Sequence, residues 1–295
     1  MTARAARVTA HAKINLILRV LSREESGFHA LETLFARLAL GDTVTVRITD
    51  ASRSVECDTD VPGPPEHNLA YRAAAAFAEA TGWPSGFAIE IEKRIPVGGG
   101  LGGGSADAGA VLRALAALSP NQVREAQLLS IAATLGSDVP YLTTAAPLSL
   151  AWGRGERMLA LPPLPVRDVA LVLPDFSVST AAAYSWLAAA RERARPTTSP
   201  TSPQLLSLAD LATWRSVATL ATNDFEPVVS SRHPQIAAIV SSLRAAGAAI
   251  ALMSGSGSTV FGIFDSTAAA AALPPAAHVV QTTTLAAVSP VDRLG

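Results

Sequence analysis

The stretch Pro96-Val-Gly-Gly-Gly-Leu-Gly-Gly-Gly-Ser-Ala-Asp107 sets six glycines between an alternating apolar run and an alanine-rich one. On the N-terminal side, Phe87, Ile89 and Ile91 mark a strand that ends at Lys93-Arg94-Ile95-Pro96. On the C-terminal side, the pattern predicts a helix from Ser105 to Leu118. Glycines lose much conformational entropy on folding, so a run of them between two regular elements needs a reason, and close backbone approach to a ligand supplies one. Backbone N–H groups that converge at a helix N-terminus form an anion site, and phosphate is its natural guest. A linker would not be framed by a strand and a helix. Gly98, Gly100 and Gly103 satisfy G-x-G-x-x-G, but a second helix follows instead of the parallel strand and acidic residue of a dinucleotide fold. No Gly-Lys-Ser/Thr closes the loop, so it is not of the Walker type, and phosphate charge must be met by backbone dipoles, a metal ion and a cation from elsewhere.

Working outward, Val8 to Val20 alternates apolar with polar residues, which predicts a half-buried strand carrying Lys13 and Asn15 on its polar face. Thr43 to Thr49 alternates likewise. Asn68 caps a helix running to Ala80, and Gln122 to Leu135 reads as another. Gly136 and Pro140 bracket the end of that helix and hold Asp138 in a tight turn. Strands are predicted at Val169–Leu173, Ile250–Met253 and Val260–Phe264, with helices at Thr180–Ala194, Leu205–Leu220 and Pro234–Ala246. Strands and helices segregated in this way argue for an α+β fold. The prolines at 162, 163 and 165 divide the chain into lobes 1–161 and 162–295, and Arg195 to Pro203 reads as a polar surface loop.

The 295 residues are 49% hydrophobic and 16% charged, the balance of a folded chain and not a disordered one. A net charge of −1 provides no field to gather nucleic acid, so a small-molecule partner is expected. Cys57 is the sole cysteine, no apolar run is long enough to span a bilayer, and the reading is of a cytoplasmic protein with no membrane partner. Phosphoryl transfer to an alcohol needs an anchored triphosphate, a divalent metal, a positive charge and a carboxylate facing the hydroxyl. The glycine loop, Lys13 and Asp138 supply the protein part of that set, although singly each has a bland reading as a solvated sheet face or a turn aspartate.

Three blocks, Ala12-Lys-Ile-Asn-Leu16, Pro96 to Ala108 and Met253-Ser-Gly-Ser-Gly-Ser258, resemble in order and spacing the three motifs of the GHMP kinases, the group containing galactokinase, homoserine kinase and mevalonate kinase. Ser26 to Leu31, Gly136 to Pro140 and Asn223 to Pro227 narrow the likeness to a branch whose acceptor is a cytidine-diphosphate-linked alcohol. The resemblance implies a two-lobed α+β fold. Its N-terminal ATP-binding lobe is similar to domain 2 of ribosomal protein S5, its C-terminal lobe is ferredoxin-like, and the substrate lies in the cleft between them.

The resemblance also implies roles. Lys13 and Asp138 are the catalytic pair, and Asn15 contacts substrate. Pro96, Val97, Gly98, Gly99, Gly100, Leu101, Gly102, Gly103, Gly104, Ser105 and Ala106 cradle the ATP phosphates, while Asn68, Leu69 and Lys93 line the adenine site. Phe28, His29 and Tyr184 hold the cytosine ring, and Gly255, Ser256 and Gly257 form a supporting loop. ATP is the co-substrate and Mg²⁺ is expected, with no protein ligand for the metal assigned; the assembly is a monomer or a homodimer. The chain departs from the family where Phe28 replaces a tyrosine, Tyr184 a phenylalanine and Ala106 a serine. Asp107 is expected to turn away from the phosphates and cap its helix. Asn223, Asp224 and Glu226 are read as mainly structural, and Cys57 and His11 have no role. Two alternatives stand beside this reading: a GHMP kinase for homoserine or mevalonate, which have no base to stack, and a catalytically silent nucleotide sensor.

Overall fold

The computed structural model describes residues 4–23, 29–59, 64–193, 206–265 and 278–295. The alternating N-terminal run becomes β1 (Ala5–Arg23), antiparallel to β2 (His29–Thr49) over most of both strands. The chain continues through β3 (Arg53–Cys57), α1 (Leu69–Thr81), β4 (Gly86–Glu92), α2 (Gly103–Leu118), α3 (Glu125–Ala133) and α4 (Val139–Thr143). A hairpin of β5 (Leu148–Gly153) and β6 (Arg157–Leu161) precedes β7 (Asp168–Leu173) and α5 (Thr180–Arg193). Then come α6 (Trp214–Leu220), β8 (Thr222–Asn223), α7 (Glu226–Ser230), α8 (Pro234–Ala245), β9 (Ile250–Met253), β10 (Val260–Phe264), β11 (His278–Thr283) and β12 (Asp292–Leu294).

Strand β2 is long enough to serve two partners. Its first half pairs with β5 at Leu31–Ala36 and its second half with β4 at Thr43–Thr49. The sheet runs β12-β1-β2-β4-β3, with β8 parallel to β1 at Ile17 and Leu18. Helix α2 lies across β1 and buries Ala108, Val111, Leu112 and Leu115 in the core under the sheet.

The second sheet has the order β11-β7-β10-β9 with every neighbouring pair antiparallel. Numbered within the lobe this is 4-1-3-2, the ferredoxin-like order. Its two faces have separate duties, as the period of two dictates. Val169, Leu171, Ile250, Leu252, Phe261 and Ile263 join the core of the first sheet. Ala170, Val172, Ala251, Met253, Val260 and Phe264 pack with Ala183, Leu187, Val229, Ile236 and Leu243 of α5, α7 and α8. Strands β8 and β12 follow residue 162 in the chain but belong to the first sheet, so the proline-marked division is one of chain order and not of sheets.

Three sequence readings change. The predicted helix over 205–220 is a 3-10 turn at Leu208–Leu211 followed by α6, because Ser207 and Thr213 each cap a separate start. Helix α3 is shorter than the predicted 122–135. And the middle of β1 is buried on both faces: His11, Lys13 and Asn15 on its polar face are 4%, 3% and 3% exposed, while Arg7, Thr9 and Arg19 towards its ends stay open to solvent in part or in full. The proline-rich stretch 195–203 lies outside the described residues.

What covers His11 is the C-terminal segment, since its Nε2 and Ser289 Oγ are 3.1 Å apart, while Arg113 also holds the Ser289 carbonyl. Burial first, and Arg37 second, lower the imidazole from 6.5 to about 4. The unfolded chain therefore takes up a proton below pH 6.5 that the folded chain refuses until about pH 4. The stability His11 contributes above that window is lost as pH falls through it, at up to ~1.4 kcal/mol per pH unit. His11→Gln is expected to flatten the acid limb of unfolding free energy against pH by about one proton. An unaltered slope would exclude His11 as its source.

Candidate active site

The glycine loop is a chain of alternating conformations. Gly98, Gly100 and Gly102 have φ of 78°, 78° and 75°, separated by residues with negative φ, and Gly102 is the N-cap of α2. Successive amides in such alternation point to one side and form an anion nest. The loop's carbonyls are taken up by protein donors. Gly99 O accepts from Thr259 N, Gly100 O from Lys13 Nζ and Ser254 Oγ, Leu101 O from Lys13 N, and Gly102 O from Ala106 N. What the loop can offer a polyanion is therefore its N–H groups. Gly100 permits no side chain, because an added Cβ would lie 2.3 Å from Ser254 O at a φ that L-residues rarely adopt. Gly100→Ala is expected to weaken the loop's hold on a polyanion such as ADP at least ~10-fold, since the loop must move off the Ser254 turn and a lost 1.4 kcal/mol is already a factor of ten. Calorimetric titration with ADP checks this, and an unchanged affinity would contradict it.

The loop floors a cavity of ≈ 550 Å³ lined by Asn68, Leu69, Lys93, Pro96 to Ser105, and Val178 to Thr180 at the start of α5. Asn68 caps α1 through Ala70 N at 2.8 Å, so its amide oxygen is engaged. Lys93 does line the cavity, but its ammonium is held by the Asp42 and Asp107 carboxylates. Asp107 does not cap α2, which begins at Gly103; it lies a turn further on, buried, with Oδ2 2.7 Å from Lys93 Nζ. Burial pushes its carboxyl up to about 7, with Lys93 opposing that shift. Asp42, in the strand opposite, is fully committed: it also accepts the N–H groups of Arg94 and Ile95. Ala106 is 1% exposed and faces the core, so it is not part of the cradle surface.

Register shifts on both sides of Lys13 and Asn15, between His11 and Lys13 and between Asn15 and Ile17, re-aim these side chains towards a second cavity. Lys13 Nζ donates to Asn15 Oδ1 at 2.8 Å and Gly100 O at 3.0 Å, and lies 3.3 Å from Asp138 Oδ2. Asn15 passes the network on, since its Nδ2 donates to Thr33 Oγ1 at 2.8 Å. Asp138 stands at the N-terminus of α4 with 28% of its side chain exposed, whereas that of Lys13 is 4% exposed. The carboxylate therefore faces the open space and the ammonium supports it from below.

This second cavity, of ≈ 260 Å³, is also lined by Leu18, Leu31, Phe35, Tyr184 and Phe225. Tyr184 meets Phe225 edge-on, with ring centroids 4.8 Å apart. Burial first and Asp138 second raise the Tyr184 phenol, which keeps it protonated. Phe28 lies outside the described residues, and His29 opens β2 opposite Arg23. The turn from Ser254 to Gly257 reaches both cavities and is fixed from behind. Asn223 Nδ2 donates to Met253 O and Gly255 O at 2.7 and 2.8 Å, and Glu226 Oε2 accepts from Met253 N at 2.7 Å. Sequence reasoning named the acids of the 223–227 block but missed the Phe225 ring between them, and it passed over Thr180, the first residue of α5.

A cavity floored by bare amides, sharing Gly100 and Gly102 with a second cavity that holds a paired lysine and aspartate, is an arrangement suited to passing a phosphoryl group between two small molecules. Two family models match: the GHMP kinases N terminal domain over residues 68–145 and the GHMP kinases C terminal over 205–276. The 4-diphosphocytidyl-2-C-methyl-D-erythritol kinase of Solibacter usitatus is 40% identical over 263 residues, 89% of this chain and 82% of that one. That of Moorella thermoacetica is 41% identical over 86% of this chain and 88% of its own. Among solved structures, a 4-(cytidine 5'-diphospho)-2C-methyl-D-erythritol kinase superposes with a TM-score of 0.76 at 36% identity, covering 94% of this chain and 98% of that one. A homoserine kinase from Cytophaga hutchinsonii, at 18% identity and TM-score 0.68 over 99% and 98% of the two chains, shares the fold. The chain belongs to the GHMP kinases, in the family of 4-diphosphocytidyl-2-C-methyl-D-erythritol kinases.

Proposed function

We propose that this chain transfers the γ-phosphoryl group of ATP to the 2-hydroxyl of 4-diphosphocytidyl-2-C-methyl-D-erythritol, giving the 2-phosphate and ADP in the non-mevalonate route to isoprenoid precursors. The observation that carries the reading is the meeting of the two cavities at Gly100 and Gly102, with Lys13 and Asp138 on the acceptor side. ATP lies with its base towards Asn68 and Leu69 and its phosphates on the 98–105 amides. The acceptor hydroxyl sits at the Asp138 carboxylate, which accepts its hydrogen bond and orients the oxygen towards phosphorus. Lys13 balances the charge that builds up on the transferring group and keeps Asp138 in place. Asn15 fixes the Lys13 ammonium, and Tyr184, with Phe28 and His29, holds the cytosine by stacking and edge contacts.

Magnesium, carried with the triphosphate, would neutralise phosphate charge. Among the described residues no three His, Cys, Asp or Glu side chains cluster as a metal site. Ser105 and Asp138 are the side chains that would help to hold the ion, the rest of its shell coming from phosphate oxygens and water, as is usual for Mg²⁺ in kinases. No helix among the described residues is long and apolar enough to cross a membrane.

ADP release measured side by side with the cytidine-diphosphate alcohol, homoserine and mevalonate tests the substrate. Turnover is expected with the first alone. Turnover with either of the others and none with the first would overturn the assignment.

A further inference from the structure

Four residues line both cavities: Gly100, Gly102, Thr180 and Ser256. A phosphoryl group that leaves the nucleotide for the acceptor crosses between them. The two glycines offer only backbone. The side chains at the crossing are those of Thr180, the first residue of α5, and Ser256, in the β9–β10 turn, and their hydroxyl oxygens are 2.9 Å apart. The pair has two O–H protons and its mutual bond occupies one of them. Lys13 is hemmed in at the same crossing by Asn15, Gly100 and Asp138, and a Cβ built on Gly255 would lie 3.4 Å from its Nζ. One ammonium with three oxygen partners cannot face all three equatorial oxygens of a phosphoryl group in flight.

We propose that Thr180 is a catalytic residue of the transfer step: its hydroxyl leaves Ser256 and donates to an equatorial oxygen of the γ-phosphoryl group as that group crosses between the cavities. The inference rests on the kinase reading above and adds a residue to it. In the step, the bond from γ-phosphorus to the bridging oxygen breaks and its electron pair stays on ADP, while the acceptor oxygen forms the new bond to phosphorus. The acceptor's proton passes to Asp138 or to solvent, and Thr180 keeps its own proton throughout. A donor placed at the crossing meets the phosphoryl group in transit more closely than in either resting complex, so it acts on kcat and not on ground-state binding. The competing explanation is a latch, in which the Thr180–Ser256 bond only ties α5 to the β9–β10 turn. A latch would be lost equally with either hydroxyl and would show in nucleotide affinity and melting temperature.

The test compares Thr180→Val, Thr180→Ser and Ser256→Ala. Thr180 is exposed, and valine keeps its shape, so the fold is expected to hold. Thr180→Val should lower kcat at least ~30-fold with ADP affinity and Tm unchanged, and Thr180→Ser should recover most of the loss, on the scale of a single transition-state donor. ADP affinity is also titrated with and without aluminium fluoride, a mimic of the transferring phosphoryl group. The fluoride-dependent gain should shrink at least ~10-fold in Thr180→Val alone. A kcat within twofold of wild type with an undiminished fluoride gain would overturn the proposal, as would equal losses in Thr180→Val and Ser256→Ala accompanied by weaker ADP binding. A wild-type enzyme that shows the fluoride gain but no turnover of the cytidine-diphosphate alcohol would instead sink the substrate assignment and leave Thr180 standing.

Discussion

Asp138→Asn is expected to lower kcat by ~10²-fold or more while leaving ATP affinity almost unchanged, on the usual scale of acid–base contributions. The asparagine is isosteric, so the turn that opens α4 is retained, including the Leu142 N–H bond to the residue 138 carbonyl. What disappears is the anionic acceptor at the mouth of the smaller cavity, 3.3 Å from Lys13 Nζ. An amide can still accept through its oxygen, but it has no charge to hold the acceptor proton, and half of its polar edge now donates. Steady-state kinetics with a separate ADP titration checks both halves. A kcat close to wild type would remove Asp138 from the chemistry, and a large loss of ATP affinity would show that it serves the nucleotide instead.

Lys13→Met is expected to lower kcat by ~10²–10³-fold, the range seen when one stabilising donor is removed from a charged transition state, and also to lower Tm. Methionine matches the length of the lysine stem and fills the same space, so cavity formation is not the cause. Removing the ammonium leaves Asn15 Oδ1 and Gly100 O without the donor that reaches them at 2.8 and 3.0 Å in a buried setting. Each stranded acceptor costs about 1–3 kcal/mol. The Gly100 carbonyl retains Ser254 Oγ at 3.0 Å, so the penalty falls mainly on Asn15. The two variants are thus separable: Asp138→Asn should be slow but stable, Lys13→Met slow and less stable. Equal thermal stability of Lys13→Met and wild type would mean that the ammonium does not organise this network.

How much of this was legible in the sequence depends on how far each feature reaches along the chain. The glycine loop, the Asn68 cap and the alternation of β1 are local patterns, and the fold places them where the patterns indicate. Lys13 and Asp138, 125 positions apart by their numbers, each look ordinary alone; their pairing needed the first motif block and the separate segment from Gly136 to Pro140 to be read together through the family resemblance. What was not legible depends on distant partners. The polar face of β1 is buried because Leu101 and Ser289 come back onto it, and no local alternation reveals what will cover a strand. Asp107 is the third residue of the helix predicted from Ser105, where it could cap, but α2 begins at Gly103, and Asp107 instead meets Asp42 from within β2 and Lys93 from just past β4. Thr180 starts a helix with an unremarkable pattern, and only the overlap of two cavities singles it out. The interrupted helix over 205–220 could have been found, since Ser207 and Thr213 are both strong N-cap residues.

The account stands or falls on the geometry of the ternary complex, and the most direct measurement is a crystal structure with a non-hydrolysable ATP analogue and the cytidine-diphosphate alcohol bound together. The γ-phosphate should lie at the opening between Gly100 and Ser256, with the acceptor 2-hydroxyl hydrogen-bonded to Asp138 and about 3–3.5 Å from phosphorus, the separation of a near-attack arrangement. A polyphosphate bound away from the 98–105 amides, or a 2-hydroxyl turned away from Asp138, would contradict it.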